Sequence, residues 1–384
     1  MDNKKLASDR GSRKLPNLAF GKEWALLELV TLGLNSASEQ EMFAELISDQ
    51  DLDWQELLKQ ATRHKITCLL AFYIITNNLS EVITLDLKQQ LETILFFNRH
   101  KIKIYRSKAA EIIRALTKNK IKFVGTKGIS LESTLYQGNG NRTLSDIDFM
   151  ILPNDRKVVS EILADLGYQM GTFEPKTGTI KPHSREMMIN YKLNPDHLPA
   201  HILLIDDVIV PFIEVDIANS LTWTLSPFQI PVEVALENIV YQPIPEIKDI
   251  SLPSFAPQFQ FIFTILHLFK EAWIELTLDM NGKDVSLSKF SDVVRIWSRH
   301  QNELQNEEFV KILEQFDLIQ PVVWVLEHLD RTLQTNIISS LGLEGKVTEE
   351  WLSSAAPSGT KARLWRGTMR KRLFTQDRRQ LFRQ

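Results

Sequence analysis

The sequence predicts an α+β fold, a mixed sheet with helices packed against it and helical regions on both flanks, from three observations. Apolar residues recur at three- and four-residue spacing from Glu23 to about Asn119, and again from about Ala256 to Leu343. Between these regions the texture changes to short apolar runs separated by loops rich in Gly and Asn. Two of those runs carry acids at alternate positions, Asp146 with Asp148 and Glu214 with Asp216.

Taken in order, residues 1–20 form a basic lead without the apolar stretch of a signal peptide, and they are expected to be disordered. Residues 21–119 form an N-terminal helical region of four or five helices, with Ser38, Asp53 and Thr84 as N-cap candidates. Residues 120–222 form the core. There "IKFVG" reads as a strand, "ISLESTLYQ" as a short helix, "GNGNRTL" as a loop and "SDIDFMIL" as a strand. "NDRKVVSEILADLGY" reads as a helix capped by Asn154, and "YQMGTF", "EMMINYK", "HILLI" and "VIVPFIEVDI" as further strands. Residues 223–255 read as a Pro-rich bridge, residues 256–345 as a C-terminal helical bundle, and residues 346–384 as a basic tail with interleaved Leu, Trp and Phe. The tail admits three readings: a solvated arm, an amphipathic helix docking on the bundle or a partner, and an arm contacting RNA phosphates. The docking helix is the preferred one.

Composition narrows the function classes. A formal net charge of −3 gives no global attraction to nucleic acid or to an anionic membrane, so any such contact has to be local. Cys68 is the only cysteine, which excludes an intrachain disulfide and a cysteine-based zinc site and fits a reducing cytoplasm. The longest apolar runs, "CLLAFYII" and "FQFIFTILHLF", fall short of the roughly 20 residues that span a bilayer, so no membrane partner is expected and a cytoplasmic location is the default.

On a strand, residues two apart share a face, so Asp146 and Asp148 project together while Ile147, Phe149 and Ile151 enter the opposite layer. Two carboxylates at close range stay ionised only beside a cation, and hard oxygen donors without thiol or imidazole favour Mg²⁺ or Mn²⁺. Phosphoryl chemistry calls for a third acid, and Asp216 is preferred with Glu214 as the fallback. Upstream, Gly125, Lys127 and Gly128 sit at a strand–turn–helix junction suited to a triphosphate, with Ser130 and Arg142 as further phosphate contacts. His183, His197 and His201 read as loop residues near a pocket, and Pro199 forbids a helical metal pair between the latter two. His267 and Lys270 could meet base or substrate from the bundle, although a satisfied helix histidine and a solvated lysine are the commoner outcome. Asp292 reads as a helix-face residue.

These residues carry a resemblance. Lys127-Gly128, Leu135-Tyr136, Arg142, "SDIDFMIL", "LADLGY" and "FIEVDIANSL" resemble the uncharacterised nucleotidyltransferase family of the DNA polymerase β-like superfamily, and "DWQELLKQATRHKITCLLAFYI" is similar to a segment of the same family. The resemblance implies a nucleotidyltransferase core with Asp146, Asp148 and Asp216 as metal ligands. It also implies transfer of a nucleoside monophosphate from a nucleoside triphosphate such as ATP to an acceptor, with pyrophosphate leaving. The preferred acceptor is a small molecule or peptide. The alternatives are a protein side chain, a tRNA end, or an inactive nucleotide-binding scaffold. Two departures stand out: Lys127-Gly128-Ile129-Ser130 replaces the superfamily's Gly-Ser pair, and Ile217-Ala218 replaces a Leu-His that often follows the third acid.

Overall fold

The computed structural model describes residues 14–274, 277, 282–356 and 362–382. Residues 1–13 of the expected disordered lead, residues 275–276 and 278–281 of the expected C-terminal bundle, and residues 357–361 and 383–384 of the expected basic tail lie outside them. Five helices open the chain: α1 (Lys22–Leu32), α2 (Ala37–Ile47), α3 (Trp54–Arg63), α4 (Thr67–Thr76) and α5 (Leu85–Lys118). Asp53 and Thr84 cap α3 and α5 by accepting from the Glu56 and Leu87 N–H groups. The cap of α2 is Ser36 rather than Ser38, because Ser36 and Glu39 exchange reciprocal side-chain-to-backbone bonds that Ser38, inside the first turn, cannot make.

The core follows as β1 (Phe123–Gly125), α6 (Lys127–Thr134), β2 (Ile147–Ile151), α7 (Arg156–Asp165), β3 (Gln169–Met170), β4 (Thr172–Glu174), β5 (Thr179–Lys181), α8 (Arg185–Leu193), β6 (His201–Leu204) and β7 (Phe212–Ala218). Five of the strands form a mixed sheet in the order β1-β2-β7-β6-β3, with β2 and β7 parallel and the other pairs antiparallel. β2 is buried along its whole length, so every residue on it, Asp148 included, is out of bulk water. Ile147, Phe149, Ile151, Ile213, Val215 and Ile217 enter one core with the C-terminal half of α5 and with α7. Met150, Ala218 and Val124, on the face that carries the acids, belong to a second core.

Three local expectations are corrected. "EMMINYK" is helical: Ser184 accepts from the Met187 N–H, Glu186 lies in the first turn, and with no residue of the segment buried nothing imposes a two-residue alternation. α7 starts after Asp155, because Pro153–Asp155 forms a 3₁₀ turn that takes up Asn154. The Pro-rich stretch contains a short helix, α9 (Val232–Glu237), and a hairpin of β8 (Ile239–Ile244) and β9 (Ile247–Phe255). Pro243 and Pro253 lie in this two-stranded ladder, where a missing N–H is tolerated at the edge, while Leu252 and Phe255 are buried.

The C-terminal bundle comprises α10 (Pro257–Trp273), α11 (Leu287–Arg299), α12 (Gln301–Leu304), α13 (Glu307–Gln315), α14 (Ile319–Leu333) and α15 (Ile337–Leu341). It shares one apolar core with α1–α4 and the N-terminal half of α5, so the two helical regions pack against each other as well as against the sheet. The tail adds α16 (Glu349–Leu352), a β10–β11 pair (Ser354–Ala355 with Arg363–Leu364) and α17 (Met369–Phe374). Trp365, Met369, Leu373 and Phe382 enter the shared core, Arg372 is buried against Asp284, and Arg370 lies over the Phe20 and Trp24 rings. The tail therefore docks on the bundle and on α1. Among the described residues no helix is long and apolar enough to cross a membrane.

Candidate active site

Asp148 on β2 stands directly across the parallel ladder from Asp216 on β7, and Asp146 precedes β2 by one residue. Cross-strand partners project to the same face, so adjacent strands bring the three carboxylates together. One oxygen from each of Asp146, Asp148 and Asp216 lies within 4.8 Å of the others. Glu214 is outside this group and half-buried, and burial followed by the charges of Asp146 and Asp216 raises its pKa. The geometry thus selects Asp216 over Glu214 as the partner of the first two acids.

Lys127 lies among the acids. Its Nζ donates to Asp148 Oδ1 at 2.7 Å and approaches Asp216 Oδ2 at 3.4 Å. The backbone of Lys127 is left-handed, with φ 44°, a conformation that costs a non-glycine residue on the order of 1 kcal/mol and is characteristic of functional sites. Burial alone would lower the lysine pKa, but Asp148, Asp216 and Asp146 outweigh it and keep the ammonium charged. Burial, followed by the charge of Asp146, pushes the Asp148 carboxyl well above the usual carboxylate range. Asp216 is only partly buried, and His197 and Lys127 hold it well below that range.

His197 is the member of this network that sequence reasoning left as a loop residue. Its Nδ1 lies 2.9 Å from Asp216 Oδ1. The Asp196–Leu198 segment is strapped to the end of β7: the Leu198 N–H donates to Ile217 and the Asn219 N–H to Asp196. Lys270 on α10 reaches Asp196 at 3.3 Å, which ties the bundle to the same corner. No helical spacing announces His197, because its partner lies across a ladder and nineteen residues away.

The acids open onto a cavity of about 880 Å³ whose lining includes Lys127, Gly128, Arg142 and His267. Gly128 is constrained there: a Cβ would come within 2.7 Å of Leu144 and 3.1 Å of the Arg142 guanidinium. Three expected phosphate contacts are otherwise engaged. Ser130 is buried and pairs with the Ser254 hydroxyl at 3.0 Å on β9, away from the cavity lining. Gly125 has no side chain because Leu252 fills the space, with its Cδ1 only 2.5 Å from where a Cβ would stand. Arg142 faces the cavity, but Nε and Nη2 both donate to Asp292, at 3.0 and 2.7 Å. Asp292, on a helix as expected, is a buried acceptor that also takes the Tyr136 hydroxyl at 2.8 Å.

The donor set fits a hard divalent cation. Three convergent carboxylates share the Lys127 ammonium, and at Asp148 burial and the charge of Asp146 outweigh it and keep the pKa raised. Their oxygens are the donors Mg²⁺ and Mn²⁺ take, and the convergent group consists of carboxylates alone among the described residues. No curated protein and no solved structure matches the chain. The family model described as "uncharacterised nucleotidyltransferase" matches residues 50–334, a span that takes in α3–α5, the sheet with all three acids and most of the bundle, and the chain belongs to that family.

Proposed function

We propose that the protein transfers a nucleoside monophosphate from a nucleoside triphosphate to an acceptor, releasing pyrophosphate, with Asp146, Asp148 and Asp216 as the metal-binding set. The observation that carries this reading is the meeting of three acids from two adjacent parallel strands at the floor of a cavity large enough for a nucleotide. When bound there, Mg²⁺ or Mn²⁺ supplies Lewis acidity, neutralising phosphate charge and lowering the pKa of an attacking hydroxyl.

The chain's own groups have separable roles. His197 fixes the rotamer of Asp216 through their 2.9 Å contact, so that the carboxylate faces the other two acids. The first turn of α6, with Gly128 at the cavity, offers backbone N–H groups to an anion beside the Arg142 guanidinium. Lys127 balances the acids from the same turn and is placed to follow the charge onto a phosphate. Arg142 positions the loop ahead of β2 by clamping it to α11 through Asp292. The acceptor is proposed to be a small molecule or peptide.

The test incubates the protein with each α-labelled nucleoside triphosphate, Mg²⁺ and a cell extract, with Asp148→Ala alongside. The expected result is label on an acceptor, diminished at least about a hundredfold by the substitution, in line with the loss of a principal charge-stabilising group. Label that appears equally with both proteins, or with neither, refutes the reading.

A further inference from the structure

The acids occupy only part of the cavity lining. Away from the sheet, three segments distant in sequence converge: the end of α3 with Lys65, the start of α11 with Ser288 and Lys289, and the tail with Arg378 and Arg379. Backbone groups lock them together. The Ser288 N–H donates to the His64 carbonyl, Arg63 donates to the Phe374 and Thr375 carbonyls, and Arg378 donates to the Val285 carbonyl at 2.8 Å. This wall is therefore built as a unit and is not a chance meeting of surface side chains.

Among the described residues this wall has more basic than acidic side chains. Five cationic lining residues (Arg63, Lys65, Lys283, Arg378 and Arg379) and Lys289, whose pKa burial and the nearby Lys65 and Arg378 lower to about 7, face three carboxylates there: Glu271 pairs with Lys283 and Lys289, Asp284 with Arg378, and Asp377 with Arg379. Asp284 is in addition shared with Arg372. Among the described residues Lys65 has no ion-pair partner, and it is exposed to the cavity with a left-handed backbone, φ 58°, where Gly or Asn would be unstrained. The Arg378 side chain is only 10% exposed, and its buried Nε has no hydrogen-bond partner. Ser286, the N-cap of the thirteen-residue α11, also lines the cavity and does not cap the helix with its side chain, so the positive end of that helix adds to the field. His267, on the same lining, is held neutral, its pKa driven well down by burial and by Lys127, Lys289, Lys270 and Lys283.

We propose that Lys65, Lys289, Arg378 and Arg379 form a phosphate-binding subsite of the cavity, separate from the acids, that grips a phosphate ester or anhydride. The assignment rests on the nucleotidyl-transfer reading of the same cavity. Two sources supply this chemistry: the outer phosphates of the nucleoside triphosphate, and a phosphate carried by the acceptor. Lysine and arginine suit either, as charge and as a planar fork.

The experiment is calorimetric titration of the full chain with inorganic pyrophosphate in EDTA at low salt, comparing wild type, Lys65→Ser/Arg379→Ser and Asp148→Asn, each first checked for an unchanged melting temperature. Both replaced cations are exposed, so the double variant is expected to fold. The expected result is pyrophosphate binding by the wild type, at least tenfold weaker in the double variant, restored by Lys65→Arg/Arg379→Lys, and undiminished in Asp148→Asn. Equal affinity in wild type and double variant, absence of binding by the wild type, or loss confined to Asp148→Asn overturns the subsite. A second arm adds Mg²⁺ and a saturating non-hydrolysable ATP analogue. Exclusion of pyrophosphate assigns the subsite to the triphosphate, retention assigns it to the acceptor, and both outcomes support it. Pyrophosphate binding with no nucleotidyl transfer by the wild type would refute the proposed reaction alone, whereas transfer together with equal affinities would refute the subsite alone.

Discussion

Replacing Lys127 by Met removes the single ammonium that three acids share while keeping the length of the side chain. Its Nζ lies 2.7 Å from Asp148 and 3.4 Å from Asp216, and its side chain is only 20% exposed, so solvent screens the interaction weakly. Stripping one partner from a buried ion pair costs about 3–5 kcal/mol, because the remaining charge is stranded. Here the cost is expected near about 3 kcal/mol, since Asp148, whose pKa is already raised, takes up a proton and limits the damage. Calorimetric melting in EDTA should show Lys127→Met unfolding well below the wild type. Added Mg²⁺ should then raise the melting temperature of the variant more than that of the wild type, because the cation enters a site with no ammonium to displace. Equal melting temperatures in EDTA, or equal shifts with Mg²⁺, would refute the electrostatic account of the site.

Asp292→Ala strands the buried Arg142 and the Tyr136 hydroxyl, and is expected to cost about 3–5 kcal/mol in denaturant titrations, whereas Arg142→Met/Asp292→Leu should cost less. His328 is buried with Nε2 donating to the Leu352 carbonyl at 2.8 Å, and burial, with Arg372 and Arg331, lowers its pKa to about 3. The folded state excludes a proton that the unfolded chain accepts near pH 6.5, so this stability is complete above about pH 6.5 and is lost as pH falls from there towards 3, amounting to about 2 kcal/mol at pH 5. Melts across pH 5–7 should therefore flatten in His328→Gln, and an unchanged slope counts against the assignment. His197→Ala should lower transfer activity by about tenfold to a hundredfold by releasing Asp216, with His197→Asn recovering part of it.

The pairing of Asp146 with Asp148 was legible because a two-residue period on a strand fixes which side chains share a face. The same logic left Glu214 and Asp216 undecided. Both point to one side of β7, and only the register against β2, which sets Asp216 beside Asp148, separates them. The pairings of Ser130, Arg142 and Asp292 escaped sequence reasoning for a common reason: their partners are long-range. Ser254 lies 124 residues from Ser130, and Asp292 lies 150 residues from Arg142. Local pattern carries no trace of such pairings. The β8–β9 hairpin was hidden by its prolines, which signal a loop unless the strand is known to lie at an edge.

The packing of α1–α4 into the same apolar core as the C-terminal bundle, with Arg63 and Trp24 held by the tail, has a consequence for biosynthesis. Helices that leave the ribosome first find their apolar partners only after some two hundred further residues have been made, so the protein acquires its stability late. A polypeptide terminated ahead of α17 would expose part of that core and lack one wall of the cavity. Such an incomplete molecule would be a substrate for proteolysis, so the cavity is complete only in copies that carry the tail.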